Sequence, residues 1–233
     1  MPEASSWGTW VPPSQLPSQI VIFGAGETAR LAWEYFTYDS SHEVVGFVVT
    51  PEHMSADSFC GLPVLTPNDA IAQFSPSAHA AFTAASSADN NQVRLAMYEL
   101  ALGSGYALTS YVSSRAFVAS EVRIGANCFI LENNVIQTGA SIGNNTTLWS
   151  GNHVGHRSMI GEHVFISSHV VISGYCTVGD YCFLGVNSSM ADKISLGPNC
   201  VLSLGSVLRS STRAQGIYAG NPARLMPQRH ERS

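Results

Sequence analysis

The sequence predicts two units in tandem: a small α/β domain (Rossmann-like, with a parallel sheet) over residues 19–112, then a parallel β-helix of hexapeptide repeats over residues 113–210. Three observations carry this reading. An apolar residue recurs at every sixth position through the second half, strand and helix signals alternate through the first, and a glycine-rich turn follows the first apolar run. Residues 1–18 read as a loose arm and residues 211–233 as a tail.

The arm is rich in proline and has no apolar period. It also lacks the charged start and apolar core of a secretory signal. Gln19–Phe23 is a buried-strand run, and Gly24-Ala25-Gly26-Glu27-Thr28-Ala29 turns from it into a helix reaching about Tyr38. Val44–Val49, Ala80–Ala85 and Ala107–Val112 read as further strands, and Asn91–Leu102 as a helix. Alternation of this kind builds a parallel sheet. The turn presents backbone N–H groups and a helix N-terminus to one point, where a phosphate can sit. Gly24, Ala25, Gly26, Glu27 and Thr28 are therefore candidate nucleotide-sugar contacts. A structural turn with no ligand is the competing reading. A redox dinucleotide is disfavoured, because the second strand ends Val48-Val49-Thr50 without the acidic residue that holds a ribose.

The repeat runs Val118, Ile124, Ile130, Ile136, Ile142, Leu148, Val154, Ile160, Ile166, Ile172, Val178, Leu184, Met190, Leu196, Leu202 and Leu208, sixteen positions without a break. Two residues earlier lies a row of mostly small or β-branched side chains, Ala116 to Ser206. One large and one small inward residue per short strand fill a narrow prism. Glycines after the large residue (Gly125, Gly143, Gly155, Gly161, Gly179, Gly185, Gly197) suggest corners with unusual dihedrals. Asn127, Asn133, Asn145 and Asn199 also fall at corners. Cys128, Cys176, Cys182 and Cys200 occupy the small inward row, as buried filler rather than a disulfide or zinc framework. Free thiols fit a reducing, cytoplasmic compartment.

Three hexads make one triangular coil, so stacked positions lie 18 residues apart. The first outward face carries Phe117, Val135, His153, Val171, Ser189 and Val207, and the second Phe129, Thr147, Phe165, Phe183 and Val201. The third, mostly polar, carries Arg123, Ser141, Met159, Thr177 and Ser195. Two apolar faces left open predict a homotrimer, in which each chain offers both to neighbours. A net charge of −5 with no basic cluster argues against nucleic acid. No apolar stretch approaches the roughly 18 residues needed to span a membrane.

Four of the eight histidines fall in Trp149–Gly174. His153 is outward on the first face, His156 lies at the following corner, and His163 and His169 lie one corner row further on. His156, beside an expected subunit interface, can serve as a general base, a role suited to imidazole. His153 can line the same cleft. Polar corner histidines capped by neighbours are the alternative.

The repeat, the segment Gly151-Asn152-His153-Val154-Gly155-His156, the glycine-rich turn and the tail Tyr218-Ala219-Gly220-Asn221-Pro222-Ala223-Arg224 resemble the hexapeptide acyltransferases of the sialic-acid O-acetyltransferase (NeuD-type) and nucleotide-amino-sugar N-acetyltransferase family. The resemblance implies a left-handed helix and a homotrimer with acetyl-CoA between neighbouring prisms, and requires no metal. It implies that His156 is the catalytic base and that the Gly174 N–H contacts the acetyl carbonyl. It further implies that Arg209, Gly220, Asn221, Pro222, Ala223 and Arg224, with Gly174, hold the coenzyme. Two positions depart from the pattern. Arg157 stands where similar enzymes carry a glutamate, so the group orienting the histidine must be Glu162, an amide or a carbonyl. Val49 and Thr50 stand where they carry nucleotide-gripping acids. The implied activity is acetylation of a sugar amine, with a sugar hydroxyl as the alternative, in surface-glycan biosynthesis. A zinc hydratase on the same prism and a non-catalytic sugar-nucleotide-binding protein are the other readings.

Overall fold

The computed structural model describes residues 16–87 and 91–227, so most of the expected arm and the last residues of the tail lie outside the described residues. The front unit is β1 (Gln19–Phe23), α1 (Glu27–Tyr38), β2 (Glu43–Val48), β3 (Ser58–Phe59), β4 (Leu62–Leu65), α2 (Pro67–Gln73), β5 (Ala80–Thr83), α3 (Gln92–Gly103) and β6 (Ala107–Leu108). Its strands order β3-β4-β2-β1-β5-β6, all parallel except the β3–β4 hairpin at the edge. Ile20, Val21, Ile22 and Phe23 of the central strand are fully buried, as a strand covered on both faces requires. Because β2 and β5 leave β1 on opposite sides, a crevice opens beyond the C-terminal ends of these three strands.

Two expectations for this unit need correction. The hairpin and α2 were not anticipated from the sequence; their strands are too short to show a period. Ala107–Val112 is not one strand. Ala107–Leu108 closes the front sheet, whereas β7 (Tyr111–Val112) is already a rung of the prism, paired with Phe129–Ile130. Between them the Ser110 hydroxyl donates to the Gly125 carbonyl at 2.8 Å and accepts from Cys128 N–H at 2.8 Å. Val112 thus sits six residues before Val118, in the same inward row.

From β7 to Leu208 the chain forms three parallel sheets of two- or three-residue strands whose paired residues lie 18 apart: Val135 with His153, Ser141 with Met159, Thr147 with Phe165. Residues 111–208 build the left-handed parallel β-helix. The large row forms its core, with Ile130, Leu148, Ile160, Ile166, Ile172, Leu184 and Leu202 fully buried. Each such side chain contributes roughly 1.5–3 kcal/mol of burial free energy. The polar members of the small row bridge coils. The Thr146 hydroxyl donates to the Gly161 carbonyl at 2.9 Å and accepts from Val164 N–H at 3.2 Å.

Corner geometry corrects the glycine reading. The left-handed residue is three positions after the large one, where the non-glycine residues from Asn127 to Asn199 have φ between +53° and +60°. Asparagine tolerates this conformation well. The glycines one position after the large residue do not adopt it. They serve close approach instead: a Cβ on Gly155 would lie 2.5 Å from the Ser173 carbonyl carbon, and one on Gly179 would lie 2.5 Å from the Pro198 nitrogen.

The second apolar face is also not left open along its length. The front unit covers its lower half. Phe129 and Thr147 are each 1% exposed, and Phe129 packs edge-on against Tyr35 and tilted against Phe82. Polar contacts fasten the junction. Asp39, which ends α1, accepts from the hydroxyls of Tyr111 at 2.5 Å and Ser113 at 3.0 Å and from Ser114 N–H at 3.0 Å. Burial pushes its carboxyl up, but these hydrogen bonds outweigh it and hold the pKa at about 2. On the first face Phe117, Val135 and Val171 remain exposed. The tail strand Gly216–Gly220 extends the second face beside Cys200–Leu202, and Ala223 on the return strand packs into the end of the core.

Candidate active site

His156 occupies the corner between the first and third faces, following the strand His153–Val154. It is exposed, and its ring packs against Gly174 of the next coil. A Cβ placed on Gly174 would fall 2.5 Å from its Cε1 and 2.8 Å from its Nε2, so only glycine admits the imidazole there. The Tyr175 ring meets it edge-on at 5.0 Å. Tyr175 N–H donates to the His156 carbonyl at 2.9 Å, locking the two coils in register. Gly174 N–H has no acceptor among the described residues, leaving a donor open beside the imidazole.

The group that holds the histidine is Gln137, which the sequence did not reveal. Its Oε1 accepts from His156 backbone N–H at 3.0 Å and lies 3.4 Å from Nδ1. A donor proton on Nδ1 leaves the Nε2 lone pair free. Glu162 plays no such part. Its carboxylate accepts from Asn144 at 2.8 Å, and burial raises its pKa, with Asp180 adding to the rise against that hydrogen bond. Arg157 is exposed at a left-handed φ of +55° and its side chain lies over Gly139 in the coil below. His153 is half-buried on the first face between Val135 and Val171.

The other two histidines of the segment stand elsewhere. His169 lies over Gly151, one coil below it. His163 is 6% exposed, stacks on Tyr181 at 4.9 Å, meets Tyr98 edge-on and receives the Asn145 amide at 2.9 Å. Burial, with Arg94 nearby, drives its pKa down to about 4. No group of three or more His, Cys, Asp or Glu among the described residues is placed to hold a metal ion.

In the front unit, Gly24, Ala25, Gly26, Glu27 and Thr28 line a crevice of about 840 Å³ together with Val49, Thr50 and the start of the β5–α3 connection. Gly24, at φ +119°, allows the turn: its Cβ would lie 2.6 Å from the Ala84 carbonyl oxygen. Gly26 caps α1 without a side-chain hydrogen bond, so the first N–H groups of the helix face the crevice unshielded. Val49 is buried, and Thr50 pairs with His53 at 2.9 Å. Arg209, Gly220, Asn221, Pro222 and Arg224 are exposed at the far end of the prism, while Ala223 is buried. The structure therefore holds three separate groups of expected site residues: the crevice, the His156 corner and the tail.

Residues 121–155 and 139–174 match the family "Bacterial transferase hexapeptide (six repeats)", and residues 175–210 match "Hexapeptide repeat of succinyl-transferase". No curated protein sequence matches the chain. Among solved structures, PerB from Caulobacter crescentus, in complex with CoA and GDP-perosamine, is 21% identical, covers 90% of this chain and 97% of its own, and superposes with a TM-score of 0.79. The acetyltransferase domain of PglB from Neisseria gonorrhoeae, in complex with acetyl coenzyme A, is 21% identical, with 90% and 100% covered and a TM-score of 0.80. WeeI from Acinetobacter baumannii AYE is 21% identical, with 89% and 99% covered and a TM-score of 0.75. Across both of its units this chain has the fold of these proteins, a small parallel-sheet α/β domain leading into a left-handed β-helix of hexapeptide repeats.

Proposed function

We propose that the protein is an acetyl-CoA-dependent N-acetyltransferase of a nucleotide-linked amino sugar, serving surface-glycan assembly in the cytoplasm. One observation carries this reading: an exposed imidazole held by Gln137 and pressed against Gly174, beside an N–H with no acceptor among the described residues. In the proposed reaction His156 Nε2 takes a proton from the sugar amine as its nitrogen attacks the thioester carbonyl. The Gly174 N–H donates to the developing oxyanion. Collapse breaks the C–S bond, and the proton leaves with the CoA thiol. A positioned base typically contributes ~10²–10⁴-fold, and one oxyanion donor roughly 3–4 kcal/mol.

The crevice suits the nucleotide of the sugar acceptor, with its phosphates at the α1 N-terminus. The solved structures of the same fold with CoA, acetyl coenzyme A and GDP-perosamine support the pairing of substrates. On this reading Arg209 and the Gly220–Arg224 segment hold the coenzyme, and His153 and Arg157 border the cleft, while Glu162 lies on the edge under α3 and does not. The exposed first face, with Phe117, Val135 and Val171, supports a homotrimer whose neighbouring prisms enclose the His156 corner.

The test is thiol release from acetyl-CoA across a panel of nucleotide-linked amino sugars and free sialic acids, with light scattering for the mass. Release with an amino sugar and a mass of three chains is the expected result. Release with a hydroxyl acceptor alone moves the reaction to O-acetylation. The absence of release with every acceptor overturns the enzyme.

A further inference from the structure

A second cavity, of about 200 Å³, lies where the front unit meets the second face of the prism. Arg94 from α3, Thr28 from the first turn of α1, and Thr147, Trp149 and Phe165 from the prism line it. Thr28 also lines the crevice of the front unit, so the two spaces share a wall.

Arg94 makes this cavity unusual. It is 2% exposed, and neither ion pair among the described residues includes it. Its Nη2 donates to the Asn145 carbonyl at 2.8 Å and to Asn145 Oδ1 at 3.0 Å, and its Nη1 donates to the Ala85 carbonyl at 3.5 Å; all of these are neutral oxygens. Burial lowers its pKa to about 10, which leaves it a cation at neutral pH. The Cys128 thiol, the titratable group that acts on it, offers no compensating charge, because burial pushes its pKa up to about 11 and keeps it neutral. A buried charge without a counter-charge destabilises the fold. No carboxylate among the described residues pairs with the guanidinium.

A second observation is independent of the charge. Arg94 Nε, Trp149 Nε1 and Thr147 Oγ1 are buried with no hydrogen-bond partner, and all three residues line this cavity. Guanidinium and indole nitrogens can only donate, and a hydroxyl can donate. Three unpaired donors and an unpaired positive charge around one small space call for a ligand that only accepts and is negative.

We propose that the junction cavity is an anion subsite, in which Arg94, Trp149 and Thr147 bind a phosphate or carboxylate group of a small molecule. Such a group would bridge the two units, because Arg94 belongs to one and Thr147 and Trp149 to the other. Its occupancy would therefore stabilise their docking. The proposal does not depend on acetyl transfer.

The test uses the full chain without acetyl-CoA. Melting temperature and tryptophan emission are followed while inorganic phosphate or acetate is titrated against sodium chloride of equal ionic strength. A saturable rise in Tm with either oxyanion is expected. The apparent Kd should weaken about tenfold or more in Arg94→Gln and in Thr147→Val/Trp149→Phe. A response to phosphate alone identifies a phosphate group, and one to acetate alone a carboxylate. The double variant keeps the packing and carries the test if Arg94→Gln does not fold. No response beyond chloride, or an equal response in the double variant, overturns the subsite. Thiol release is measured separately, so a chain that binds oxyanion but transfers no acetyl group loses only the proposed activity.

Discussion

Two edges of the same prism carry histidines seven residues apart, and the edges differ in what lies outside them. Along the edge between the third and second faces, Asn127, Asn145 and His163 stack 18 residues apart, and α3 of the front unit closes over them. There Asn127 donates to Asn145 at 2.8 Å, Asn145 donates to His163 at 2.9 Å, and the histidine is kept neutral. Along the edge between the first and third faces, His156 is exposed, with Gln137 below and Gly174 above. One histidine is a rung of a buried ladder; the other is a ring with a free nitrogen. A histidine's residue type says little about its role here. Which edge it falls on, and what covers that edge, says most of it.

The comparison breaks most sharply at His156. His156→Ala should lower kcat by at least about 100-fold while leaving Tm and oligomeric mass unchanged. Near-normal turnover would remove it from the chemistry. Asn145→Ala should do the reverse. It takes partners from Arg94, Asn127 and His163 and puts an alanine at φ +53°. A loss of roughly 3 kcal/mol, read as a fall in Tm of about 6–12 °C, is expected with kcat little changed at low temperature. A wild-type melt would mean that the ladder contributes nothing to docking.

Gln137→Glu sharpens the first edge. A carboxylate in place of the amide favours the imidazolium, so the acid limb of kcat/KM should move to higher pH. An unmoved limb would show that the 3.4 Å contact does not reach the titrating group. The smallest effect belongs to His163. Its pKa in the folded chain, about 4, lies below the value near 6.5 of an unfolded histidine. Its contribution to stability is therefore full above about pH 6.5 and is lost as pH falls toward about 4. The slope of Tm against pH across that window should flatten in His163→Asn and persist in His156→Ala. Equal slopes in all three proteins would count against the buried, neutral assignment.

Much of this was readable beforehand, wherever one number governs the geometry. Adding 18 to 156 places Gly174 over the histidine, and subtracting two from each large inward position finds the buried cysteines. Gln137 was not readable. It lies 19 residues before His156, off the stacking column, and reaches it only because a long amide side chain crosses between coils. The start of the prism at Tyr111 was hidden, because Ala107–Val112 reads as a single strand until Ser110 is seen tied to Gly125 and Cys128. The glycine row was located correctly but explained wrongly. Periodicity shows where a side chain is excluded, and only the coil spacing shows that the neighbour above excludes it.

By itself the sequence determined the β-helix, its inward rows, the contents of its three faces and the α/β character of the front unit. A period of six admits one way of stacking, and each coil's neighbours are then a matter of counting. Only the tertiary structure decided that the front unit seals half of the second face, that Asn145 meets Arg94, and that Gln137 holds His156. Docking one rigid body on another depends on surface shape and on long side chains meeting across the gap. No repeat in the chain records either.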